Sequence, residues 1–192
     1  MSVLIFDVET SGLPQQSLPF NHPAQAHIVQ YAGLVIDGDR DIASFSCLVK
    51  PRNWTIDPKA QEAHGITLEQ CEQHGLPIED VLRMHSVLMC LGDRVVAHNI
   101  KFDQQLIAIE ESCCVNMNLP PINGMHYQFC TMQAMKPVCK LSGRMPNSYK
   151  WPKLSVAYRF CFNESLSGAH DAMVDVRATA RIYRWLAINN LV

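Results

Sequence analysis

Asp7 and Glu9 stand two residues apart in the otherwise apolar run Val3-Leu4-Ile5-Phe6-Asp7-Val8-Glu9. Side chains alternate between the faces of a strand, so both carboxylates fall on one face. Two ionised carboxylates side by side near the end of a buried strand repel each other and resist desolvation. A divalent cation between them makes the arrangement favourable, and hard oxygen ligands select Mg²⁺ or Mn²⁺ over zinc. The alternative is an acidic strand edge facing water. A third acid, Asp103, follows the strand that ends Ala97-His98-Asn99. Acids placed after strands in α/β sheets tend to meet at one edge of the sheet. Alone, Asp103 is equally an acid in the first turn of a helix, complementing its dipole. The fourth element is Gly168-Ala169-His170-Asp171-Ala172-Met173-Val174-Asp175. It places Asp175 one turn inside the last helix and His170 on the loop entering it. A neutral imidazole there can lean over a site and take a proton from water. Singly, His170 and Asp175 are ordinary surface residues; the ordered set points to metal-assisted chemistry.

The elements that must position these residues follow from local pattern. Residues 3–9, Ile28–Ile36 and Ser44–Val49 have strand length, and Asp37-Gly38 offers a hairpin turn between the second and third. Asp57-Pro58 starts a helix that ends near His64-Gly65. Thr67-x-x-Gln70 resembles a capping box. Pro77–Leu91 has the spacing of a helix with one buried face. Arg94–Ala97 is a short buried strand, Phe102–Glu111 a helix and Tyr127–Cys130 a fifth strand, with Thr131 a cap for the element after it. Residues 136–153 hold three prolines, a glycine and much of the basic charge, and are expected to form a long surface loop. Leu154–Cys161 and Asp171–Ile188 are the last helices. Strands first, then strands alternating with helices, predict a single α/β domain over 1–192 with a mixed sheet flanked by helices.

The chain has 192 residues, 48% apolar and 18% charged. That suits one domain able to bury roughly 70% of its unfolded surface without disulfides or a structural metal. No run approaches the length of a membrane span, and Asp7 comes too soon for a signal peptide. The cysteines include no C-x-x-C pair, so reduced thiols in a cytoplasmic protein are expected. Cys130 lies four residues after His126, a spacing that more often reflects packing than a metal site. The net charge of −2 hides an asymmetry. Residues 1–111 carry fifteen acids against seven bases. Residues 112–163 carry no acid, only Lys136, Lys140, Arg144, Lys150, Lys153 and Arg159. Such a segment is either an electrostatic footprint for a polyanion or a solvated loop. Tyr149 and Trp151 lie among these bases and can either stack on nucleic-acid bases or join the core.

Three segments together resemble the DEDDh exonucleases, the DnaQ-like family that includes proofreading subunits such as that of bacterial DNA polymerase III. They are Phe6-Asp7-Val8-Glu9-Thr10-Ser11-Gly12-Leu13, Ala97-His98-Asn99-Ile100-Lys101-Phe102-Asp103, and His170-Asp171-Ala172-Met173-Val174-Asp175-Val176-Arg177-Ala178-Thr179. Glu62-Ala63-His64-Gly65-Ile66-Thr67 resembles the family's H-G-I-T segment. The resemblance implies an RNase H-like fold and 3′→5′ release of nucleoside monophosphates from single-stranded or frayed DNA ends. It implies two Mg²⁺ or Mn²⁺ ions: Asp7, Glu9 and Asp175 on one, Asp7 bridging to the second, and Asp103 supporting it. His170 is then the general base. Glu9 and Thr10 would meet the terminal 3′-OH, Leu13, His64 and Ile66 the terminal base, and Asn99 the substrate backbone. Lys150 and Lys153 are the expected phosphate contacts of the basic insertion at 136–153. The residue four before Asp175 is Asp171, which disfavours the sister group that uses a tyrosine base. The chain ends just after its last helix, so no tail is expected to dock on a polymerase.

Two other readings stay open. One is an exoribonuclease of the same fold, since one 2′-OH separates the substrates. The other is a non-catalytic nucleic-acid-binding or interaction module. Within residues 14–27, Gln15-Gln16-Ser17-Leu18-Pro19-Phe20 also fits a Q-x-x-L-x-F peptide of the kind that docks on bacterial sliding clamps.

Overall fold

A computed structural model describes residues 1–114, 127–145 and 148–192. Strands β1 (Ser2–Thr10), β2 (Ile28–Asp37) and β3 (Arg40–Leu48) form an antiparallel meander. β4 (Arg94–Ala97) and β5 (Tyr127–Cys130) extend the sheet in parallel, giving the order β3-β2-β1-β4-β5. β1 is therefore central through Ile5, while at Asp7 and Glu9 it is paired with β2 alone. Asp37 pairs with Arg40 across a two-residue turn in which Gly38 takes φ +59°, as a tight hairpin requires.

The alternation of β1 assigns its residues to two layers. Leu4, Phe6 and Val8 pack with Val81 and Leu82 of α3 (Ile78–Leu91) and Leu106 of α4 (Ile100–Cys113). Val3 and Ile5 pack with Val176, Ala180 and Tyr183 of α7 (Ala172–Ile188). The odd-numbered acids Asp7 and Glu9 thus continue the face that looks toward α7.

The short helices follow their local signals. The Asp57 side chain accepts from Lys59 N–H ahead of Pro58, and α1 (Pro58–His64) closes at Gly65 with φ +74°. Thr67 and Gln70 form a reciprocal capping box on α2 (Leu68–His74).

Elsewhere tertiary packing overrides the local signal. Residues 136–139 are not loop: α5 runs Thr131–Cys139 with Pro137 inside it. Fully buried Met135, packed in one cluster with Ala157 and Ile182, outweighs the local cost of the proline. Thr131 does not cap this helix. It is its first residue, with its hydroxyl beside Ala97 O and His98 Nδ1. Tyr149 and Trp151 are exposed at 40% and 50%, so they are not core residues. α6 (Leu154–Phe162) follows them.

The Gln15–Phe20 segment is a set of closed turns. Buried Gln25 donates its amide N–H groups toward the carbonyls of Gln15, Leu18 and Pro19, while its Oε1 accepts from Gln15 N–H. An extended clamp-docking peptide would have to break that clasp. His126 lies outside the described residues. Among the described residues, no helix is long and apolar enough to cross a membrane.

Candidate functional site

The site begins where β1 and β4 part. β4 pairs with β1 only as far as Ile5 opposite Val96. Beyond that point the chain leaves β4 through Asn99, at φ +81°, and turns into α4. Asparagine tolerates this left-handed backbone better than most residues. The turn brings Asp103, one helical turn on, against the part of β1 that β4 no longer covers. There Val8 N–H donates to Asp103 Oδ1 at 3.3 Å. Asp103 is 2% exposed, and its Oδ2 has no hydrogen-bond partner.

From the other layer comes Asp175, 8% exposed, whose Oδ2 accepts the His170 backbone N–H at 3.3 Å and whose Oδ1 is unpartnered. A ligand atom from each of Glu9, His170 and Asp175 lies within 4.8 Å of the other two. Just beyond Glu9 the register with β2 slips: Glu9 faces Gln30, but Thr10 faces Ile28. Such an irregularity re-aims the strand at its functional end.

The electrostatics are those of an acid cluster lacking compensation. Burial, reinforced by Asp103, Asp175, Glu9 and Asp171, raises the Asp7 carboxyl well above its ordinary range. Burial, then Asp175 and Asp103, pushes Glu9 up to about 8. Asp103 and Asp175 are also raised by burial, although backbone N–H groups work against it. The unpartnered, buried oxygens of Asp103 and Asp175 are what a cation-binding site presents before the cation is counted. Carboxylate oxygens predominate in the donor set, which fits a hard divalent ion.

The start of α7 is clamped by a residue that sequence reasoning missed. Gln30 of β2 accepts from Ala172 N–H at 3.0 Å and donates to Asp171 Oδ2 at 3.2 Å. Asp171 Oδ1 in turn caps the helix, accepting from Met173 and Val174 N–H. A lone glutamine inside the apolar run of β2 was the available signal. His170, at φ +72°, sits on the tight turn between Gly168 and this cap, with its side chain exposed. Its strained backbone is over-determined by the clamped helix start, as at many functional sites.

A cleft of about 700 Å³ opens beside these groups, lined by Glu9, Thr10, Leu13, His64, Phe102 and His170, among others. Leu13 is 80% exposed, a large apolar side chain at the rim. His64 Nδ1 accepts from Ile66 N–H at 3.0 Å, and burial, with a smaller effect of His170, lowers its pKa. The other expected substrate contacts lie elsewhere. Ile66 packs beside Trp54 and Cys71, away from the cleft lining. Asn99 is at the start of α4. Lys150 and Lys153 are exposed at the end of the basic segment.

The exonuclease family model matches residues 4–183. The chain belongs to the exonuclease family. Its members of DEDDh type are 3′→5′ exonucleases with the RNase H-like fold found here. Among solved structures, Escherichia coli exonuclease I in complex with a dT13 oligonucleotide aligns with a TM-score of 0.74 at 20% identity, covering 96% of this chain and 40% of that one. A zinc-bound E. coli exonuclease I–single-stranded DNA complex aligns with a TM-score of 0.74 at 22% identity, covering 99% and 42%. A moderately thermophilic exonuclease I from Methylocaldum szegediense gives 0.69 at 20% identity, covering 97% and 40%. This exonuclease-family chain thus spans about two-fifths of the length of those relatives. No curated protein matches it.

Proposed function

We propose that this protein removes nucleoside 5′-monophosphates one at a time from the 3′ end of single-stranded DNA, with Asp7, Glu9, Asp103 and Asp175 holding two Mg²⁺ or Mn²⁺ ions. The observation that carries this reading is the convergence of Glu9, His170 and Asp175 on one point, beside half-buried Asp7 and a buried carboxylate oxygen of Asp103 that lacks a partner. Bound divalent ions supply neutralisation of the phosphoryl charge, a more acidic water and stabilisation of the leaving oxygen.

The chain's own residues do the rest. His170 accepts a proton from the attacking water at an imidazole nitrogen, since its side chain is exposed on the cleft and its backbone is held by Asp175. The water oxygen bonds to phosphorus, and the O3′ of the preceding nucleotide leaves as the new 3′ end. Leu13 and His64 flank the terminal base, and Glu9 with the Thr10 backbone meets the terminal 3′-OH. Asn99 lies beside the entering backbone. Ile66 acts one step back, through the hydrogen bond that orients His64. The exposed amines of Lys150 and Lys153 attract the phosphates upstream. The exonuclease I complexes with single-stranded DNA support the choice of substrate by analogy of fold.

The test is a set of matched single-stranded DNA, duplex DNA and RNA strands, labelled separately at each end, with Mg²⁺ or with EDTA. A ladder from 5′-labelled single-stranded DNA, immediate release of label from the 3′ end, and loss of both in EDTA are expected. Binding without shortening would return the chain to the inert-module reading, and preferential decay of RNA would reassign the substrate. Calorimetry on His170→Ala separates two roles for the imidazole. Retained metal affinity with a rate loss of about 10²-fold or more, partly rescued at higher pH, marks a base. Loss of metal affinity marks a ligand.

A further inference from the structure

The acid-free segment contains one feature that the cleft does not use. The ring of Trp151 is half exposed, and the Lys136 ammonium lies 3.9 Å from its centroid. The cation occupies one face of the indole, and the half-exposed ring still presents apolar surface to solvent. Tyr149, Lys150 and Lys153 surround it in sequence and are all exposed.

The backbone beside this ring is held to the end of β4. The next residue, Pro152, is buried, and its carbonyl lies 3.1 Å from His98 Nε2. The other ring nitrogen of His98 lies 3.0 Å from Thr131 Oγ1. His98 itself joins the end of β4 to Asn99, about one helical turn before Asp103. The backbone next to the indole is therefore tethered through the partly buried His98 imidazole to the turn that leads to Asp103.

Resting on the nuclease reading, we propose that Trp151 is a base-stacking platform for the single strand upstream of the scissile nucleotide, with Lys136, Lys150 and Lys153 holding the flanking phosphates. Three observations fit that occupant. The segment has no acid to repel a polyanion. An exposed aromatic face among cations is the pattern by which proteins hold single strands without regard to sequence. The Pro152–His98 contact fixes the backbone beside the platform to the turn that leads to Asp103, on the same end of the fold as the site. A base stacked on an indole has left its partner strand, so the platform favours single-stranded over paired substrate.

The test compares oligothymidylates of about three and about twelve nucleotides. Wild type is expected to show a higher kcat/KM on the longer strand. Trp151→Ala should cut that long-to-short ratio about tenfold, whereas Trp151→Phe should keep most of it. Lys136→Met, which keeps the aliphatic stem, should lower the dependence of log Kd on log salt by about 0.7. An unchanged length ratio in Trp151→Ala overturns the platform. A second readout does not depend on hydrolysis: a fluorescence titration with the longer strand in EDTA. Stacking on Trp151 quenches emission in wild type, and Trp151→Phe should abolish most of that quench although Trp54 and Trp185 remain. If wild type shortens no strand but this quench is present and lost in Trp151→Phe, the nuclease reading fails and the platform stands. If the quench is the same in both, the platform is wrong whatever the activity.

Discussion

Asp103 and Glu110 sit two turns apart on α4, and both are almost wholly buried, at 2% and 3% exposure. Their surroundings differ. Glu110 Oε1 accepts from Ile28 N–H at 2.8 Å and lies 3.2 Å from His27 Nδ1, so a backbone donor and an imidazole share its charge. Asp103 has one N–H on one oxygen and nothing on the other, and its charge opposes ionisation of Asp7. A buried acid whose donors are supplied by the fold is a brace between layers. A buried acid left without donors is a request for a cation. The contrast separates structure from function on one helix, between residues of nearly the same chemistry.

The sharpest way to break this contrast is to neutralise the acids around Asp103. Asp7→Asn or Asp175→Asn should lower the exonuclease rate by at least ~10³-fold, because positioning the ions is most of the catalysis. Far-ultraviolet circular dichroism should be unchanged. A variant that keeps a tenth of wild-type activity would show that the cluster is not the reaction centre.

Substitutions in the two acids themselves test the comparison through stability. Glu110→Gln weakens a charge-assisted brace and should cost about 1–3 kcal/mol in denaturant unfolding. Asp103→Asn replaces a carboxyl whose ionisation burial opposes, so in EDTA it should be neutral or stabilising. It should also remove most of the Tm gain that Mg²⁺ confers on wild type. Equal losses in both variants would put Asp103 in the same structural class as Glu110.

The pH dependence sharpens the same point. In the folded, metal-free chain the Glu9 carboxyl moves from the ordinary value of 4.5 to about 8, and those of Asp7, Asp103 and Asp175 move in the same direction. A carboxyl with a raised folded-state pKa binds its proton more tightly in the folded than in the unfolded chain. Its contribution is therefore complete below the unfolded value and is lost as pH rises through the folded one. In EDTA, unfolding free energy should fall between about pH 4.5 and pH 8, and Mg²⁺ should reverse the fall. A flat profile in EDTA would mean that the acids are already compensated.

The smallest effect is expected outside the cluster, where the charge is positive and solvated. Lys150→Gln with Lys153→Gln should flatten the salt dependence of single-strand binding by about 1.4 in log–log slope, with little change in Tm. An unchanged slope would assign these lysines to an ordinary surface.

The local elements were legible wherever neighbouring residues carry the whole signal. Asp57-Pro58 and Thr67-x-x-Gln70 are satisfied by groups within three residues, so reading them needs no knowledge of the fold. Thr131 and Pro137 misled for the opposite reason. The Thr131 hydroxyl is engaged by Ala97 and His98, some thirty residues away, and Pro137 is carried within a helix whose Met135 is locked under α6 and α7. Gln30 carries no local signal because its partners, Asp171 and Ala172, lie at the start of the last helix. Ile66 lies in the right motif, but its side chain packs beside Trp54 and only its backbone reaches His64.

The types and order of Asp7, Glu9, Asp103, His170 and Asp175 were determined by the sequence alone, and so was the shared face of the first two, because strand alternation is a local property of the backbone. Whether the acids are brought together, and whether each is compensated, was decided only by the tertiary structure. Compensation depends on where β4 stops pairing with β1, on the turn at Asn99 and on the Gln30 clamp at α7. These, like the His27 and Ile28 contacts that brace Glu110, join segments tens of residues apart, and they leave Asp103 open to an ion.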